Sequence, residues 1–296
     1  MLARFTVDAV TRVGVVGGEL VADLCAVDPT LPADVGEVLT AGRLDTGLLT
    51  DIERRAPRYP VSEVRLEAPV GTPPVFLAVG LNYLAHAAES AMTAPAVPII
   101  FNKAITCVTG PYDPIEIPAS APTRVDYEGE LGVVIGARCR GVPAERAHEV
   151  VAGYVVVNDV SVRDWQFATP TWIMGKGWDT HGPVGPWMST ADEVPDPHDL
   201  RLRTWVDGEL RQDSSTADMI FGYRELVAHL TTAFTLLPGT IIATGTPAGV
   251  GFSMRPPRYL QPGSRVRIEI DGIGAIDNPV VAGPQRVASA KILGPS

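Results

Sequence analysis

Apolar residues in this chain gather in short, often β-branched runs, and the clearest helical spacing comes late. Arg4 to Val10 and Arg12 to Val16 read as strands, with Gly17-Gly18 turning the chain back into a third from Glu19 to Leu24. Asp34 to Leu39 reads as a helix, and Arg54 to Pro60 is polar and punctuated by proline. Pro69, Gly71, Pro73 and Pro74 interrupt any regular element, so a boundary is placed within 60–73. It divides the chain into a small N-terminal α/β domain, residues 1–72, and a larger domain, residues 73–296. The larger part opens with a buried-type strand, Val75 to Val79, and Leu131 to Ile135 and Val151 to Val157 are apolar runs of strand length. Ala144 to Val150, behind Pro143, predicts a short helix with proline in its first turn. Leu226, Leu230, Phe234 and Leu237 predict a helix from Tyr223 to Leu237, stopped by Pro238-Gly239, with His229 beside its apolar stripe. Arg265 to Ile270 alternates polar and apolar, and Asp271-Gly272 then signals a hairpin turn.

Composition agrees with many short elements. Among 296 residues there are 29 glycines and 27 prolines, roughly a fifth of the chain against about 12% on average. The excess implies many short strands rather than long helices, which agrees with a strand-rich α+β class without supplying it. With 46% hydrophobic and 20% charged residues the chain lies in the globular range, which excludes disorder as its main state. The net charge of −10, with no run of arginines, argues against a nucleic-acid partner and for a small molecule or protein. Arg4 and Asp8 fall where a signal peptide would be apolar, and no run approaches the roughly 18 residues of a membrane span. These features predict a cytoplasmic protein with no membrane partner. Cys25, Cys107 and Cys139 are too scattered for a disulfide framework or a C-x-x-C site and read as reduced thiols.

No G-x-S-x-G elbow, G-x-x-x-x-G-K-[ST] loop or H-E-x-x-H is present, so serine-hydrolase, P-loop and zinc-protease readings have no anchor. Gly245 to Gly251 resembles a phosphate loop only loosely, because Pro247 removes a backbone N–H. The informative stretch is Val125 to Ile135. Glu128 and Glu130 stand two apart at the start of a strand and so share a face. Two carboxylates beside an apolar core call for a cation between them. Asp159, ending the run Val155-Val156-Val157-Asn158, offers a third carboxylate. Three such groups suit Mg²⁺ or Mn²⁺ in octahedral geometry; the bland alternative is a solvated strand end. If Tyr83 to Ser90 is helical, His86 and Glu89 are neighbours three apart, the arrangement of an oriented general base, although surface pairs of this kind are common. Ser161, Arg163, Asp164, Trp165 and Gln166 follow Asp159, and Lys176 stands between two glycines as either a positioned cation or a loop lysine. His181 and Cys107 have no evident partner.

Taken together and in order, these pieces resemble the fumarylacetoacetate hydrolase family. The matching segments are Gly80 to Glu89, Asp126 to Glu130, Asn158 to Asp164 with Gln166, and Lys176 with Asp179-Thr180 and Gly182-Pro183. They continue with Thr244 to Gly251, Gly272-Ile273-Gly274 and Asn278-Pro279, spanning about residues 74 to 282. Residues 1–72 resemble the small N-terminal domain of bacterial members. Gly177-Trp178 departs from the more usual Ser-Phe and sets a larger indole beside Lys176, which bears on substrate size. The resemblance implies a mixed, twisted β-roll, a homodimer, and a catabolic enzyme acting on a small 2-oxo acid. It implies Mg²⁺ or Mn²⁺ on Glu128, Glu130 and Asp159, catalysis by His86, Glu89 and Lys176, and substrate binding by Arg163, Gln166 and Thr246. The first expectation is hydrolysis of a C–C bond in an acylpyruvate through a pyruvate enolate held on the metal. Oxaloacetate decarboxylation or isomerisation of a hydroxydienedioate would use the same site, and a non-catalytic metal-binding protein is the alternative of another class.

Overall fold

A computed structural model describes residues 1–44 and 46–284, with the side chains of 46–49 excepted. The opening strands form as Leu2–Val7, Val10–Gly17 and Leu20–Asp23, so the first turn falls at Asp8-Ala9, both in the left-handed region. The predicted helix spans Val35–Thr40. Asp34 caps it: Oδ1 accepts from Gly36 N at 2.8 Å, while Oδ2 accepts from Gly71 N at 2.7 Å and ties the helix to the interrupted segment. Ala144–Val150 is a 3₁₀ helix.

The late helix corrects its prediction. It spans Tyr223–Ala233, and Phe234 already has extended backbone angles. Leu236 then pairs with Cys139 as a β-bridge and is buried, leaving Phe234 and Leu237 exposed. Pro238 disfavours helical angles at Leu237 only, and the chain is already extended from Phe234, where the bridge to Cys139 takes over from the helix.

Among the described residues twelve strands form one sheet. Its centre is Gly129–Ile135 paired antiparallel with Val151–Asn158, both buried along their whole length. Alternate residues enter different cores: Leu131, Val133 and Ile135 join one cluster, while Val134, Val155 and Val157 join the other. Apolar side chains are needed on both faces, which is why these strands lack a polar alternation. Strand Leu2–Val7 pairs with Gly182–Thr190, so the N-terminal strands extend the same sheet, and Leu24, Val35 and Val38 pack with Phe76 and Val184. A five-stranded sheet built on Arg201–Val206, Glu209–Ser215, Arg265–Ile270 and Gly274–Ala282, with Ile115–Ile117 at its edge, covers the other face. The predicted hairpin at Asp271-Gly272 joins two of these strands. Antiparallel pairing sets Gly129 opposite Asn158, so the start of one central strand meets the end of the other. No helix among the described residues is long and apolar enough to cross a membrane, and Cys25, Cys107 and Cys139 are free thiols.

Candidate active site

The site grows from that strand junction. Asp159 N donates to Glu128 O at 2.9 Å, and one carboxylate oxygen each from Glu128, Glu130 and Asp159 lies within 4.8 Å of the other two, all three residues buried. Glu130 Oε2 accepts from Gly245 N at 2.7 Å. Burial, reinforced by the Asp159 and Glu128 carboxylates, pushes the Glu130 carboxyl well above its ordinary range. Burial acts on Glu128 in the same direction, but Lys176 and Arg163 outweigh it and hold this carboxyl low. An all-carboxylate donor set, in which Glu130 is hydrogen-bonded by a backbone amide rather than by a cation, fits a hard divalent cation.

Three buried cations answer the remaining oxygens. Lys176 Nζ donates to Glu128 Oε2 at 2.6 Å and to Asp159 Oδ2 at 2.7 Å. Burial would drive its proton off, but Asp159 and Glu128 more than compensate and raise its pKa. Arg163 Nη1 donates to Glu128 Oε1 at 2.6 Å and to Gln166 Oε1 at 2.8 Å, and its Nε donates to Asp126 Oδ2 at 2.9 Å. Lys103 Nζ donates to Asp159 Oδ1 at 2.6 Å and to the Lys176 carbonyl.

Lys103 and Asp126 were not singled out as functional by sequence. Asp126 accepts from the Gly251 and Phe252 amides, both at 2.9 Å, as well as from Arg163, and so joins the late glycine-rich loop to the guanidinium. Lys103 ends the strand Ile99–Lys103 and is buried like Phe101, two positions before it, while Asn102 between them is exposed. That alternation is the only signal the sequence carried.

His86 and Glu89 lie on the helix Leu84–Glu89, and His86 Nδ1 is 2.8 Å from Glu89 Oε1. Glu89 Oε2 accepts from Gly249 N at 2.9 Å. Asn82, entirely buried, anchors the turn before this helix. Its Nδ2 donates to Phe221 O at 2.9 Å and Thr244 O at 2.7 Å, and its Oδ1 accepts from Phe221 N at 2.9 Å. Gly245, at φ +104°, leaves room for it, since a Cβ there would lie 2.6 Å from Asn82 Cβ.

His86, Glu128, Arg163, Gln166, Lys176 and Thr246 line one cleft, with apolar walls. Thr246 Oγ1 donates to Gly129 O at 3.0 Å and accepts from Gln212 Nε2 at 2.8 Å, so its hydroxyl hydrogen is already used. Trp178 does not line this cleft. It packs edge-on against Trp165 at 5.1 Å and donates to Met174 O, and the indole in the cleft wall is Trp172. His181 is buried, with Nε2 bonded to Glu116 O at 2.9 Å; burial lowers its pKa to about 4. Burial raises that of Cys107 to about 11, which leaves it an inert thiol at neutral pH.

Residues 76–281 match the family model described as Fumarylacetoacetate (FAA) hydrolase C-terminal. A provisionally named hydrolase of Burkholderia cenocepacia is 46% identical over 258 residues, 86% of this chain and 89% of that protein. The fumarylacetoacetate hydrolase of Exiguobacterium antarcticum is 38% identical with a TM-score of 0.85, covering 95% of this chain and 99% of that one. A maleylpyruvate hydrolase of a Sphingobium species, solved with manganese(II) and pyruvate, is 35% identical with a TM-score of 0.81, covering 96% and 99%. Two isomerases also match. The chain belongs to the fumarylacetoacetate hydrolase family, whose members include hydrolases and isomerases.

Proposed function

We propose that this protein is a divalent-metal-dependent hydrolase that splits an acylpyruvate, or a related 2,4-dioxo acid, into pyruvate and a carboxylic acid. Glu128, Glu130 and Asp159 would hold Mg²⁺ or Mn²⁺, which when bound supplies Lewis acidity to the 2-oxo acid end of the substrate. The observation that carries the reading is the anchored dyad: His86 Nδ1 on Glu89, and Glu89 on the Gly249 amide. With the Nδ1 proton committed to Glu89, Nε2 is the basic ring nitrogen.

His86 takes a proton from water as its oxygen attacks the distal carbonyl. The C–C bond then breaks, its electron pair staying with the pyruvyl carbon as an enolate, and the proton on His86 is available to return to that carbon. One water is consumed. Lys176 steadies the negative charge by electrostatics already in place. Arg163 Nη2, 2.8 Å from Asp126 Oδ2 but without a well-directed hydrogen bond, is available to the substrate carboxylate. Gln166 accepts from Arg163 and so presents its amide N–H groups to a substrate oxygen. Thr246 shapes the wall. The same reading puts the enzyme in the cytoplasm as a homodimer.

Decarboxylation needs neither an attacking water nor a base, so an oriented base favours hydrolysis over it, whereas isomerisation moves a proton and would use the same dyad. Pyruvate release from acetylpyruvate by Mg²⁺-loaded protein tests the reading, with activity lost in excess chelator. His86→Ala should cost about 10² to 10⁴ in that rate with divalent-ion binding retained. An equal loss of any oxaloacetate decarboxylation would remove His86 from the role of water-activating base.

A further inference from the structure

The cleft changes character from inside to outside. Its charged groups, Glu128, Arg163 and Lys176, are buried, whereas the partly exposed wall, Ser90 apart, is apolar: Met92, Phe167, Trp172 and Phe252. We propose that this outer wall selects an uncharged, apolar acyl tail, so that the substrate carries a single carboxylate, at its 2-oxo acid end. The proposal rests on the 2-oxo acid reading above.

The first support is an inventory of cations. Apart from His86, the positive groups lining the cleft are Arg163 and Lys176, and both already face buried carboxylates. Among the described lining residues none in the outer wall is basic. A carboxylate at the far end of a substrate would lie against aromatic rings with no basic partner among the lining residues, and partial loss of its water there disfavours binding.

Charge balance points the same way. With the three metal ligands ionised, as a bound cation requires, four buried carboxylates, Asp126, Glu128, Glu130 and Asp159, stand against three buried cations, Lys103, Arg163 and Lys176, leaving one negative charge before the ion is counted. A divalent ion and one substrate carboxylate bring the centre to neutrality, and a second carboxylate takes it negative again.

The second support is that the wall is built. Phe101 and Trp172 meet edge-on with ring centroids 5.5 Å apart, and Phe167 and Phe252 are tilted at 5.2 Å. Trp172 has φ +60°, a left-handed backbone that costs a bulky residue energy and that the surrounding structure must enforce. The ring lies so close to Gly80 that a Cβ there would stand 2.3 Å from it, so the glycine after the strand core makes room for the indole. Such constraint fits a surface shaped for a ligand better than a stray exposed tryptophan.

Calorimetric binding to the full-length, Mg²⁺-loaded protein tests this without turnover, using pyruvate, 2-oxohexanoate and 2-oxohexanedioate. Expected is binding of the six-carbon monoacid roughly tenfold or more tighter than the diacid of the same length. Equal or tighter binding of the diacid overturns the proposal while leaving the 2-oxo acid reading intact. Failure of pyruvate and both longer acids to bind overturns that reading itself. Phe167→Arg adds a cation at a half-exposed position of this wall, and it should move the preference toward the diacid by about tenfold. An unchanged preference in this variant also counts against the proposal, because it would mean the tail does not lie along this wall.

Discussion

Two groups of arginine, lysine and carboxylate side chains pair in this molecule, and they differ in their access to water. On the outer face of the five-stranded sheet Arg201 pairs with Asp213 at 2.7 Å, and Arg203 with Glu269 and Asp271 at 2.6 Å. These charges follow from strand alternation: Leu202, Thr204 and Val206 point inward, so Arg201, Arg203 and Trp205 face out. At the site Lys103, Arg163 and Lys176 meet Asp126, Glu128 and Asp159 at similar distances, 2.6 to 2.8 Å, but buried. Exposed pairs contribute about 0–1 kcal/mol each. The desolvation of buried ones offsets their attraction, and apolar residues of similar volume would stabilise the fold as well or better. Similar pairs thus have different meanings: the ladder decorates a sheet, whereas stability alone does not account for the cluster, which sits in the candidate site.

The largest effect expected from breaking the comparison is at Lys103. Lys103→Met should destabilise the metal-free protein by about 3–5 kcal/mol in urea unfolding, because Asp159 loses a buried partner. A loss below about 1 kcal/mol would place the cluster with the ladder. Next comes His181, buried but outside the cluster. The unfolded chain takes up its proton below the ordinary pKa of 6.5, whereas the folded chain refuses it until about pH 4. Stability therefore falls as pH drops through that window, by up to about 3 kcal/mol. His181→Gln keeps a donor for Glu116 O and should flatten this part of the stability profile; an unchanged acid slope would put its source elsewhere. The smallest effect is at Arg201, where Arg201→Ala should cost under about 1 kcal/mol and less still in high salt, as measured by thermal unfolding.

How well sequence spoke to each region follows from the range of the forces involved. The pairing of His86 with Glu89 needed only helical geometry, and the junction of Glu128 with Asp159 lay beside two β-branched runs, so both were legible. Lys176, which its flanking glycines marked without showing where it pointed, bridges Glu128 and Asp159. Lys103 stayed hidden because one lysine ending an apolar strand looks like any strand end until the partner 56 residues away is folded against it. Trp172 rather than Trp178 reaches the cleft because a left-handed residue reverses the chain just before the short helix Ile173–Lys176, a turn that propensity does not announce. Leu236 displaced Leu237 in the core for a similar reason, since a bridge to Cys139 overrode helical spacing.

The Asn82 amide has a consequence for the order in which a growing chain acquires its parts. It holds the turn carrying His86 against segments 139 and 162 residues further along. When His86 leaves the ribosome, neither Phe221 nor Thr244 has been made, and Gly249, which steadies Glu89, comes later still. A chain interrupted shortly before Thr244 would carry His86, Glu89, the three carboxylates and all three buried cations, yet have no fixed base. Long-range contacts of this kind form late and slowly. Synthesis therefore gives the side chains of the candidate site early and their arrangement last, so a partly made chain lacks the geometry that the proposed chemistry needs.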